Sequence, residues 1–224
     1  MSHAKHCSDW GAVPLFPLPN IVLFPRAVLP LHILEERYKT MTADALAGDG
    51  LIAMALLKPG WENNYHCKPA IEPIVCLGQI LSWEKLDDGK YNFLLQGRQR
   101  ARIVREIAGQ PYRVAELAAF QEEEALEIDL EEQRDRLTKL FTDGSLARVP
   151  AGRQFRDLLS SPLSTADIAD LLAFNFLEDV ELKQGLLREE NVQRRVAQVV
   201  EAMQAVSLQF NPALRGYPTD PGNN

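Results

Sequence analysis

Between Leu15 and Tyr38 the chain reads LFPLPNIVLFPRAVLPLHILEERY, and the four prolines in that stretch constrain the fold more than any other feature. Pro17, Pro19, Pro25 and Pro30 each remove a backbone donor and disfavour helix in the residue before them. A long helix is excluded. The apolar runs between the prolines (Leu15-Phe16, Ile21 to Phe24, Ala27 to Leu29, Leu31 to Leu34) are left as short extended pieces. They bend where a proline falls, as edge or corner strands of a curled sheet do. After Pro30 the pattern changes. Glu35, Glu36, Arg37, Tyr38 and Lys39 lead into helix-forming sequence through Met41, Ala43, Ala45, Leu46 and Ala47, and Gly48 supplies the stop.

The next segments keep a period of two. LIAMALL, Leu51 to Leu57, is a continuous apolar run whose length suits a buried strand. Lys58 to Pro73 holds three prolines, a glycine and two asparagines and reads as a long loop, of the kind that is often functional. Ile74 to Trp83 reads as a strand, Asp87-Asp88-Gly89 as a hairpin turn, and Tyr91, Phe93 and Leu95 alternate onto one face of the returning strand. Gly97 interrupts that alternation and suggests a bulge; Tyr112 to Phe120 is a last strand. About six strands with one intervening helix predict a curled sheet or small barrel.

From Gln121 the period moves to about 3.6. Leu126, Leu130, Leu137, Leu140 and Phe141 form one apolar stripe, a short helix is predicted over Gly152 to Ser160, and Ser164 with Asp167 resembles a capping box. Glu178 to Leu187 predicts another helix. Val192, Val196, Val199, Met203 and Val206 predict a final long one. Charge divides in the same place: 13 basic residues stand against 12 acidic through residue 120, and 11 against 19 beyond it, so the net charge of -7 belongs to the helical half. No apolar run approaches the roughly 18 residues of a spanning helix, and the start, MSHAKHCSDWG, lacks an apolar signal core. Cys7, Cys67 and Cys76 are odd in number and lack CxxC spacing. A cytoplasmic protein with reduced thiols and no membrane association is expected.

The order of these residues resembles the Lon N-terminal domain, the substrate-binding region of ATP-dependent Lon proteases, which also occurs as a stand-alone protein and within cereblon. Leu15, Phe16, Pro17 and Leu18 match the family's opening. Pro30, Leu31, Ile33, Glu35, Arg37 and Tyr38 match its later Pro-Leu-x-Ile-Phe-Glu-x-Arg-Tyr, with Leu34 where Phe is usual. Gly97, Arg100 and Ile103 are similar to a G-x-x-R-x-x-I strand, Gly78 and Ile80 to a Gly-x-Ile segment, and the helices around Asp170 to Ala173 and Lys183 to Leu187 are also similar. The resemblance implies an α+β fold: an N-terminal PUA-like curled β-sheet or pseudo-barrel followed by a C-terminal α-helical bundle. The expected division is a flexible N-terminus at 1–12, a β-rich domain at 13–122, a helical domain at 123–210 and a flexible tail at 211–224.

A Lon-like chain raises the question of proteolysis, yet this one has no G-x-x-x-x-G-K-[ST] loop to cradle nucleotide phosphates, and the matched region uses most of its length. No catalytic residues and no cofactor are expected. His66, Cys67 and Cys76 form the one His/Cys cluster, but lack the paired short spacings of a zinc site, so no metal is expected. Three groups remain as candidate binding residues. Glu35, Arg37 and Tyr38 sit at the strand-to-helix junction and read either as a polar recognition site or as ties between helix and sheet. Arg98, Arg100, Arg102 and Arg105 form a basic strand, on which 98, 100 and 102 would share a side facing phosphate or an acidic partner, or helix-facing salt bridges. Trp61, Tyr65 and His66 lie in the long loop and suit partner contact. The reading favoured is a non-catalytic module recognising unfolded or apolar segments of polypeptide, as an adaptor in protein quality control. Alternatives are a PUA-like RNA-binding factor using Arg98 to Arg105, which the near-neutral β-rich half opposes, and small-molecule binding in the barrel.

Overall fold

The computed structural model describes residues 7–64 and 68–210; of the loose ends expected at 1–12 and 211–224, residues 1–6 and 211–224 lie outside them. Six strands come first: β1 (Cys7–Leu18), β2 (Val28–Ile33), β3 (Leu51–Leu56), β4 (Ile74–Lys85), β5 (Tyr91–Ile107) and β6 (Arg113–Ala119), with helix α1 (Glu36–Ala47) between β2 and β3. Their order is β2-β5-β4-β3-β1-β6, and β6 pairs back onto the far half of β5. Strands β1, β3, β4, β5 and β6 therefore close into a ring, while β2 lies beside the near half of β5. Among the described residues only β1 and β3 pair in parallel, and the crossover such a pair requires is supplied by β2 and α1.

One side of the paired strands gathers Val13, Leu15, Val75, Leu77 and Leu117 around four alanines, Ala53, Ala55, Ala101 and Ala115. Small residues suit the tight interior of a five-stranded ring. The other side is covered as well, with Phe16, Ile52, Met54 and Cys76 buried, which is why Leu51 to Leu57 reads as an unbroken apolar run. Helix α1 packs on β1 and β3, where the Tyr38 ring lies 4.5 Å from that of Phe16. Gly97 does sit at a register shift, but its absolute requirement comes from elsewhere: a Cβ there would lie 2.0 Å from the Phe24 carbonyl oxygen. The proline-bounded turn at 24–27 is tied to it by Arg26 N–H to Gly97 O (2.7 Å) and Gly97 N–H to Ala27 O (2.9 Å).

Two expectations are corrected here. Residues 7–12 are not part of a flexible N-terminus; they are the first half of β1 and pair with β6. Gly11, at φ +63°, lies within the register shift that hides this strand from a period-two reading. The second concerns the division of the chain. One compact unit comprises residues up to 123 together with 178–190, and the other 124–177 with residues from 191 on. Helix α5 (Val180–Arg188), expected in the helical domain, belongs to the barrel unit and packs on β4. Gln184 Nε2 donates to the Ile74 carbonyl at 2.9 Å, Arg100 Nε to the Leu187 carbonyl at 3.1 Å, and Glu123 N–H to the Glu190 carbonyl at 2.8 Å.

The second unit holds α2 (Glu131–Thr142), α3 (Gly152–Leu159), α4 (Thr165–Phe176) and α6 (Val192–Gln209). Leu137, Phe141, Ile168, Leu172, Val196 and Val199 are buried at its centre, and the rings of Phe141, Phe155 and Phe176 lie 5.0 to 5.8 Å apart. Leu126 does not join this stripe. It precedes the 3-10 turn Glu127–Leu130 and is 71% exposed. Ser164 Oγ accepts the Asp167 N–H at 3.0 Å, which is the N-cap half of the capping box. Among the described residues, no helix is long and apolar enough to cross a membrane.

Candidate binding site

The hairpin of β4 and β5 outruns the ring. Residues 82–85 of β4 pair with 91–94 of β5, and β2 flanks β5 on its other side, making a three-stranded ribbon. In register across it lie Pro30, Leu94 and Ser82, then Leu31, Phe93 and Trp83, then His32, Asn92 and Glu84. Alternation sends Phe93 and Leu95 inward, yet Leu81, Trp83 and Leu94 remain 51%, 54% and 40% exposed. Burying a side chain of that size is worth about 1.5 to 3 kcal/mol, so these side chains withhold apolar area from the fold. A groove of about 410 Å³ runs between Pro30, Leu31, Trp83 and Leu94. Its polar side carries the contact between His32 Nδ1 and Asn92 Oδ1 at 2.5 Å. Among the described residues β2 has β5 as its one partner strand, which leaves an edge of the kind that pairs with extended chains.

A smaller cavity, about 240 Å³, opens at the strand-to-helix junction. Arg37 and Tyr38 from α1 meet Lys68 and Pro69 of the long loop and Tyr112 and Arg113 at the start of β6. Glu35 holds Arg37, accepting from its Nε at 2.9 Å, and the Arg37 guanidinium lies 4.6 Å from the centre of the Tyr38 ring. Glu106 accepts from Arg113 Nε and Nη2 at 3.0 and 2.5 Å, and Arg113 Nη1 donates to the Pro69 carbonyl at 2.6 Å. The Tyr112 hydroxyl donates to Asp44 at 2.7 Å; burial, with the Asp44 carboxylate beside it, pushes this phenol up to about 12.

The residues singled out in the sequence separate in the structure. Glu35, Arg37 and Tyr38 stay together: Arg37 and Tyr38 line the cavity, Tyr38 packs on Phe16, and Glu35 holds Arg37 without lining the cavity itself. Trp61 is half-buried in the 3-10 turn Trp61–Asn64; Tyr65, His66 and Cys67 lie outside the described residues. Cys76 is buried, and among the described residues there is no group of three or more His, Cys, Asp or Glu placed to hold a metal. The basic strand is not an open face. Arg98 is the extra residue at the register shift and is exposed, whereas Arg100 is 4% exposed and donates to the C-terminal turn of α5. Glu190 pairs with Arg102 at 3.4 Å, and Glu116 takes both ends of the Arg105 fork. Trp83 and Leu94 were not singled out by sequence, because alternation alone assigns Trp83 to the same row as the buried Phe93. Its signal is the length of the strand, which continues to Lys85 past the last pairing with β3.

Residues 12–205 match the ATP-dependent protease La (LON) substrate-binding domain. The chain is 27% identical over 195 residues to a Lon protease of Desulfosudis oleivorans and 27% identical over 191 residues to one of Dictyoglomus thermophilum. Those alignments cover 85% and 84% of this chain but 23% of each protease, so the chain spans less than a quarter of these relatives. Among solved structures it is similar to the N-terminal domain of Mycobacterium avium complex Lon protease, with a TM-score of 0.66 at 17% identity, covering 86% of this chain and 98% of that one. A Lon N-terminal domain protein from Xanthomonas campestris gives a TM-score of 0.60 at 21% identity, covering 85% and 97%. At these identities the two structures speak for the fold alone.

Proposed function

The chain belongs to the family of ATP-dependent protease La (LON) substrate-binding domains, and from that premise we propose that it is a non-catalytic module that binds extended apolar segments of polypeptide. The observation that carries this reading is the ribbon of β4, β5 and β2, where Leu81, Trp83 and Leu94 remain exposed and β2 has one partner strand among the described residues. An extended segment laid along β2 would gain main-chain hydrogen bonds from the edge and side-chain contact from the groove. Such recognition is indifferent to exact sequence but requires an unfolded chain, since folded proteins keep both their backbone groups and their apolar side chains occupied. In this reading the module works in the cytoplasm as an adaptor, presenting unfolded clients to a separate protease or chaperone.

The test is anisotropy of a labelled, unstructured peptide rich in leucine and phenylalanine, titrated with the full chain. Trp83→Ser and Leu94→Ser are each expected to weaken binding about tenfold, the effect of losing about 1.4 kcal/mol of contact. Arg98→Gln is expected to leave it unchanged. Affinity that survives both ribbon substitutions would remove the groove from the mechanism.

A further inference from the structure

The cavity at the strand-to-helix junction has a different chemistry from the apolar groove, and we propose that it binds a carboxylate carried on a small apolar body. Three of its lining side chains, Arg37, Lys68 and Arg113, are cationic, and among the described residues no Asp or Glu lines it. The carboxylates that balance two of them, Glu35 and Glu106, hold their guanidiniums without lining the cavity, and Asp44 is capped by the Tyr112 hydroxyl that donates to it. An anion entering the cavity therefore meets donors first. A guanidinium carries five N–H donors. Glu106 and the Pro69 carbonyl engage three of those on Arg113 among the described residues, which leaves two on a group fixed in place and almost wholly buried. A fork fixed in this way suits a planar carboxylate, because little side-chain freedom is lost on binding.

The walls set the remainder of the ligand. Tyr38, Tyr112, Leu57 and Pro69 supply rings and aliphatic surface, and the volume, about 240 Å³, falls below the roughly 300 to 1,000 Å³ of sites that take drug-sized molecules. The space suits a carboxylate and one side chain's worth of carbon. Two sources offer that chemistry: a free acid the size of an amino acid, or the last residue of a polypeptide. The site stands apart from the ribbon, so neither proposal rests on the other.

The experiment is calorimetric titration of the full chain with N-acetyl-leucine and with N-acetyl-leucine amide, then with a leucine-ended hexapeptide bearing a free or an amidated terminus. The acids are expected to bind at least tenfold more tightly than their amides. Lys68→Gln, an exposed change that leaves the fold intact, is expected to weaken the acids threefold to tenfold, and Trp83→Ser to leave them unaltered. Tighter binding of the hexapeptide acid than of N-acetyl-leucine identifies a chain terminus as the source; the reverse order identifies a free acid. Equal affinity for acid and amide, or no saturation by either acid up to about 10 mM, overturns the proposal.

Discussion

The barrel unit and the helical unit satisfy their backbones in opposite ways. In the barrel every strand of the ring has a partner on both sides, so the ladder itself uses the polar groups of the main chain. The helical unit is built from α2, α3, α4 and α6, three of them twelve residues or shorter, and short helices leave a large share of N–H and C=O groups at their ends. Side chains take these up. Arg134 alone donates to the carbonyls of Leu159, Ser161 and Leu163, at 2.7 to 3.0 Å. Glu127 accepts the Thr165 N–H and hydroxyl, and Asn191 caps α6 by accepting from Arg194 N–H. The barrel thus depends on close approach of backbone, and the helices on a few polar side chains. A closed ring also tolerates a ribbon that projects and keeps its apolar side chains exposed.

Two substitutions test that contrast most severely. Gly97→Ala drives a Cβ into the Phe24 carbonyl and toward the Cys76 sulfur, 3.0 Å away, with backbone on the other side that cannot swing aside. It is expected to cost about 4 kcal/mol or more and to unfold the barrel unit first. Arg134→Met keeps the unbranched apolar stem but leaves three carbonyls without their donor, and is expected to cost about 3 kcal/mol. Denaturant unfolding followed by hydrogen exchange resolves which unit opens. The contrast fails if Arg134→Met costs under about 1 kcal/mol, or if Gly97→Ala leaves exchange in β5 unchanged.

How much of this could be read from sequence depends on whether the cause was local. The prolines and the change of period act within a few residues, and they announce the strands, α1 and the later helices. Gly97 was visible as a break in alternation, but its cause, the turn at 24–27 pressed against it, lies some seventy residues away in the chain. Helix α5 reads as a helix from its own residues, whereas its place in the barrel unit depends on Arg100 and Gln184 reaching partners 87 and 110 positions off. Glu35, Arg37 and Tyr38 could be named because they are close in sequence; the cavity that Arg37 and Tyr38 line needs Lys68 and Arg113, which no spacing connects to them.

A third prediction concerns the phenol of Tyr112. Tyr112 ordinarily titrates near 10.0 and is pushed up to about 12, so the fold favours its neutral form. Its contribution is present below about pH 10 and is lost as pH rises toward 12, because the unfolded chain there holds fewer protons than the native one. The loss is about 2 kcal/mol. Tyr112→Phe is expected to cost about 1 kcal/mol at neutral pH through the bond to Asp44, and to abolish this part of the alkaline decline. Stability measured against pH for both proteins decides it: parallel curves would mean that the phenol's environment is as open in the native state as in the unfolded one.

The smallest effect on stability is expected where the proposed function is concentrated. Trp83→Ser and Leu94→Ser remove large apolar side chains, yet both are exposed, so each is expected to change stability by no more than about 0.5 kcal/mol. The nearest structural loss is the Trp83 contact with the Tyr91 ring, whose centres are 6.2 Å apart. Urea unfolding of the two variants measures this directly. A loss above about 1.5 kcal/mol in either variant would mean that the ribbon is packed against something in the native protein, and its apolar side chains would then be core rather than binding surface. Stability near that of the parent, together with weakened peptide binding, is the combination that only a surface reserved for a partner produces. A side chain in the core cannot be removed without cost to the fold, and an idle one cannot be missed by a ligand.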